Sequence, residues 1–114
     1  MIRIKRVYAP VAADDGARVL IDGLWPRGLA KEAAAIDVWL KEIAPSRELR
    51  QWFGHDPGRW RVFCARYRRE LKTPERSAAL ARLRAIERQA GTLTLLFAAK
   101  EETYNHARLL REML

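Results

Sequence analysis

Thr92-Leu93-Thr94-Leu95-Leu96-Phe97-Ala98-Ala99 decides the fold. It is a short, nearly continuous apolar run between Gly91 and Lys100, the pattern of a strand covered on both faces. Working backward, Arg18 to Leu24 holds a second such run, Val19-Leu20-Ile21. Residues 2–8 alternate apolar and basic side chains, which predicts a first strand with one face partly exposed. Ala13-Asp14-Asp15-Gly16 between them reads as a turn.

The stretch separating the second and third strands is helical. Ile36, Trp39, Leu40 and Ile43 predict a helix over 31–44, stopped by Pro45. Ser46 caps a short helix carrying Leu49, Trp52 and Phe53 and closed by Gly54; Asp56-Pro57 opens the next, with Trp60, Phe63, Cys64, Tyr67 and Leu71 on one stripe. Thr73-Pro74 starts another, which ends at Gly91, and a last helix begins near Asn105. Helices that join two buried strands predict a parallel pair with a right-handed crossover. The expectation is one α/β domain over residues 1–114, with a small, mostly parallel sheet of about three strands covered by four to six helices.

Composition narrows the function classes. The single cysteine, Cys64, permits no internal disulfide and no thiolate zinc site, and its place on an apolar stripe is that of an inert thiol. The start, MIRIKRVYAP, lacks the apolar core of a signal peptide, and no window reaches the roughly 18 apolar residues of a membrane span. A cytoplasmic protein without membrane contact is expected. Two histidines on different elements give no metal site, and no phosphate-binding loop, dinucleotide fingerprint or nucleophile elbow is present, so no cofactor is expected. A net charge of +8 and an isoelectric point near 10.4 favour an anionic partner: a phosphorylated small molecule, a nucleotide or a nucleic acid.

Open parallel sheets bind ligands outside the carboxyl ends of their strands. That rule selects Asp22-Gly23-Leu24-Trp25-Pro26-Arg27-Gly28 and the segment from Lys100 to His106. Arg27 and Lys100 supply cations for an anion, Trp25 a ring face for stacking, and the helix starting at Asn105 a set of unpaired backbone N–H groups. His106 shares a face with Leu109, Leu110 and Met113, so it points inward, where it can act as general acid or base with Asp22 orienting it or holding Arg27. Beside these stand plainer readings: Asp22 in a turn hydrogen bond, Trp25 and His106 in the core, Asn105 as a cap, Lys100 in solvent. The expected catalytic set is His106, Arg27 and Asp22, with Lys100, Trp25 and Asn105 binding an anionic small molecule; catalysis and simple binding both remain open. His55-Asp56-Pro57 is accounted for by capping.

Two other readings compete. Arg59, Arg61, Arg66, Arg68, Arg69 and Lys72, continued by Arg76, Arg82, Arg84 and Arg88, form an arginine-rich pair of helices that can contact nucleic acid. Glu70, Glu75 and Glu87 interrupt the field, and an ordinary solvated face explains it as well. In the other, exposed tryptophans make a partner interface on a subunit with no chemistry.

Several segments carry a resemblance: Lys5-Arg6-Val7-Tyr8, Arg18-Val19-Leu20-Ile21-Asp22, Leu24-Trp25-Pro26-Arg27-Gly28, Trp52-Phe53-Gly54-His55-Asp56-Pro57, Trp60-x-x-Phe63-x-x-Arg66-Tyr67, and Leu95 to Lys100 followed by Asn105-His106-Ala107. In this order they resemble the domain of unknown function 488 family in its short single-domain branch. The resemblance implies a compact α/β protein with no firmly assigned activity. It also implies two departures. Longer relatives carry Cys-His-Arg where this chain has Asn105-His106-Ala107, which removes a candidate nucleophile. Short members often have arginine at the position of Gly23, which removes a cation.

Overall fold

The computed structural model describes residues 1–114. Strands β1 (Ile2–Arg6), β2 (Ala17–Leu20), β3 (Val38–Trp39) and β4 (Leu93–Phe97) form one all-parallel sheet in the order β1-β4-β2-β3. The helices are α1 (Lys31–Ala34), α2 (Arg47–Phe53), α3 (Trp60–Glu70), α4 (Pro74–Ala90) and α5 (His106–Met113). None is long and apolar enough to cross a membrane.

The apolar run that decided the fold is the second position of the sheet, flanked on both sides. Leu95 pairs with Ile4 on one side and Val19 on the other. Leu93, Leu95 and Phe97 point into the large core with Val19, Ile21 and the inner faces of α2 to α5. Leu96 and Leu20 point to the opposite face, where Val7, Trp25, Leu29 and Ile36 cover them. All five β4 residues are buried, and the one polar member, Thr94, donates its hydroxyl to Asp15 O.

The expected helix over 31–44 does not form, and the sheet gains a fourth strand from it. The helix stops after one turn at Ala35, whose φ is 49°. Without β3, the outer edge of β2 would leave backbone groups of a fully buried strand unpaired. Asp37 N–H donates to Arg18 O and Leu40 N–H to Leu20 O, and the Asp37 carboxylate accepts the Arg18 N–H. Ile36, Val38 and Trp39 suit an extended chain as well as a helix stripe, so pairing wins over periodicity.

At the amino ends of the strands the turn around Asp15 hides a buried ion pair. Arg18 bonds Asp15 and the Ala35 and Ala34 carbonyls, while Asp15 also accepts from Lys5 and the Ala12 N–H. Each charge is satisfied, which is the condition for burying it. At α4, Thr73 does not cap: its hydroxyl donates to Glu70 O instead.

Candidate functional site

β2 and β4 are neighbours and run in the same direction, so the chain leaves both at one end of the sheet. There a cavity of about 400 Å³ opens. Phe53, Phe63 and Phe97 give it apolar surface; Asp22, Arg27, Arg50, His55 and His106 give it polar groups.

Asp22 follows β2 and is fixed. Its Oδ2 accepts the Ala98 N–H at 2.9 Å and its backbone oxygen accepts Trp39 Nε1 at 2.7 Å. His106, in the first turn of α5, brings Nε2 to 3.1 Å from Ile21 O and 3.5 Å from Asp22 Oδ1. Both neighbours only accept, so Nε2 carries the hydrogen. Burial holds the imidazole below its ordinary value of 6.5, with the Asp22 carboxylate pulling the other way. The ring is therefore neutral at pH 7, and its Nδ1 is an acceptor with no protein partner.

α5 is set by its own loop. Glu101 Oε1 accepts the Thr103 and Tyr104 N–H groups, and those bonds hold its carboxyl below the usual range. Asn105 Nδ2 donates to Glu101 O, while its Oδ1 accepts from the Ala107 and Arg108 N–H groups. The expected free helix start is thus corrected: Asn105 already occupies the donors that an anion would use.

Asp22, Trp25, Arg27, Asn105 and His106 all lie on the cavity wall; Lys100 is exposed and lies outside it. Trp25 is anchored, with Nε1 donating to Leu29 O and its ring edge-on to Trp39 at 5.5 Å. Arg27 is exposed; its backbone oxygen accepts the Tyr8 hydroxyl, and its guanidinium has no carboxylate partner.

Of two further wall residues, Arg50 was not singled out from the sequence, and His55 was set aside with the Asp56 cap. Arg50, on α2, makes no ion pair, and its buried Nε has no hydrogen-bond partner. Its only sequence cue is position, beside Leu49 and three residues before Phe53, the buried pair of that helix. A Cβ at Gly23 would stand 3.9 Å from Arg50 Nη2, so this glycine leaves the guanidinium uncovered. His55 has a left-handed φ of 56° and donates from Nδ1 to Tyr104 O at 3.1 Å. Asp56 does cap, accepting the Gly58 N–H, yet that role leaves the neighbouring histidine free to face the cavity. Both histidines of the chain thereby reach one site from different elements.

The wall carries no serine, threonine, cysteine or lysine. Cys64 lies in the core, where burial pushes its thiol up. The site offers guanidinium donors, imidazole acceptors and aromatic faces, and little that attacks.

A family model described as the inactive DUF488-N3 subclade matches residues 1–114. The chain is 43% identical over 113 residues to the uncharacterised protein YeaO of Escherichia coli K12, covering 99% of this chain and 96% of the relative. It is 40% identical over 113 residues to the uncharacterised protein Rv3073c of Mycobacterium tuberculosis H37Rv, covering 99% and 92%. No solved structure matches it.

Proposed function

The chain belongs to the inactive DUF488-N3 subclade, and from that premise we propose that it is a receptor rather than a catalyst, binding an anionic small molecule with a flat ring, nucleotide-like or nucleobase-like, at the carboxyl ends of its strands.

The observation that carries this reading is Arg50. A buried donor without a partner costs about 1–3 kcal/mol, and a turn of the guanidinium toward an oxyanion in the cavity recovers it. Arg27, equally free of carboxylates, supplies the second cation, and a guanidinium grips a phosphate or carboxylate through paired N–H groups. Trp25 and the phenylalanines take the ring. Neutral His106 accepts from a ring N–H or a hydroxyl, held in that tautomer by Ile21 and Asp22. Asp22 is a positioning residue, Asn105 ties down α5, and Lys100 serves at most as a long-range attraction. A volume of about 400 Å³ lies within the range of roughly 300–1,000 Å³ usual for small-molecule sites.

The wall's lack of serine, threonine, cysteine and lysine agrees with the subclade's description. Where the resemblance implies cysteine in longer relatives, Asn105 is committed to capping.

Thermal denaturation with nucleoside monophosphates, free bases and inorganic phosphate tests the reading. A monophosphate at a hundred times its dissociation constant adds about 2.7 kcal/mol of stability. The gain should be smaller for either fragment, absent in Arg50→Ala, and accompanied by recovery of the ligand unchanged. No stabilisation by any ring-bearing anion, or turnover of the ligand, contradicts it.

A further inference from the structure

The outer face of α3 is a separate basic surface. Arg61, Arg66, Arg68 and Arg69 are exposed there, and Lys72 follows one turn on. None of the five forms an ion pair; the paired cations, Arg3, Lys5, Arg18, Arg59 and Arg108, all lie elsewhere. Glu70, the only acid of the helix, is engaged by Ser46. Its two carboxylate oxygens accept the Ser46 N–H at 2.8 Å and the Ser46 hydroxyl at 2.6 Å. The acid that appears in the sequence to interrupt the field therefore belongs to the α2 cap. Arg66 is held over the Trp52 ring at 4.4 Å. Glu48 and Glu70 share a groove with Arg66 and Arg69 on one flank, and neither acid forms an ion pair with them. The other flank holds Arg61 and Arg68, about 10 Å apart along the helix, with Lys72 just past its end.

We propose that this face binds the phosphate backbone of a nucleic acid without reading its sequence. Arginine dominates, as phosphate recognition favours. α3 itself offers only Val62 and Ala65 as exposed apolar contacts, and the Trp52 ring beside it is covered by Arg66, which leaves little for the aromatic anchors of a protein interface. It has nothing to insert into lipid, because Phe63, Cys64 and Tyr67 are spent on the core. No asparagine, glutamine, serine or threonine stands on α3 itself, so adenine has no bidentate reader there. The surface is independent of the cavity and survives if the receptor reading fails.

Fluorescence anisotropy with a random-sequence duplex across a salt series decides it. Log affinity should fall with log salt at about −0.9 per phosphate neutralised. Arg61→Gln/Arg68→Gln/Lys72→Gln together should weaken binding about tenfold or more at low salt and flatten the slope by about 2 to 3, with an unchanged melting temperature. Arg82→Gln/Arg88→Gln on α4 should leave binding near wild type. Unchanged binding by the triple variant, no duplex binding at low salt, or tighter binding to polyglutamate of matched charge would each overturn the proposal.

Discussion

His106 Nε2 stands 3.5 Å from Asp22 Oδ1, joining the first turn of the last helix to the end of β2 across 84 positions of sequence. The same carboxylate accepts the Ala98 N–H beyond β4. One aspartate thus joins three of the segments that line the cavity.

The pair has a signature in pH. Burial lowers the His106 value below 6.5, against the pull of Asp22. The unfolded chain then binds the proton more readily than the native one. The contribution is complete above about pH 6.5 and is lost as pH falls through the window beneath it. Melting temperatures between about pH 5 and 8 should decline toward acid more steeply in the wild type than in His106→Gln. Parallel curves would contradict the assignment.

Asp22→Ala leaves the Ala98 N–H without its acceptor and should cost about 1–3 kcal/mol in urea denaturation. Asp22→Asn should cost less, since its amide oxygen can still accept that N–H. Equal costs would show that the Ala98 bond is not what Asp22 supplies to stability.

Arg50→Ala should leave unliganded stability within about 0.5 kcal/mol of wild type or raise it, because the guanidinium has an unpaired buried nitrogen and no ion pair to lose. Arg50→Lys should not restore ligand binding, since an ammonium lacks the paired N–H fork. A large loss of unliganded stability in Arg50→Ala would make Arg50 a structural residue.

Gly16 and Gly91 separate steric need from backbone preference. Both have positive φ, 64° and 81°. A Cβ on Gly16 would meet Thr92 O at 2.3 Å, while one on Gly91 meets nothing within 4 Å. Gly91→Ala should cost about 1–2 kcal/mol. Gly16→Ala should exceed about 4 kcal/mol or fail to fold. Similar losses in the two would contradict this account of the β2 entry turn.

Local composition made the buried strands, the caps at Ser46, Asp56 and Asn105, and the apolar stripe of α3 readable, because each is decided within a few residues. β3 was hidden because the stripe Ile36, Trp39, Leu40, Ile43 fits a helix; only the distant need of β2 for a partner selects extension. The Asp22, Trp25, Arg27, Asn105 and His106 group was reachable through the strand-end rule. Arg50 and His55 escaped it because they arrive from α2 and the turn after it, which no strand-end argument covers. Lys100 follows β4 in sequence, yet it is exposed and outside the wall.

The most direct test of the receptor reading is an NMR titration of isotope-labelled protein with adenosine monophosphate, observing the Arg50 Nε–H and both imidazoles. The account predicts saturable shifts at Arg50, His55, His106 and the Asp22 to Arg27 loop, all lost in Arg50→Ala. Shifts confined to Arg61, Arg68 and Lys72, or none at Arg50, would contradict it.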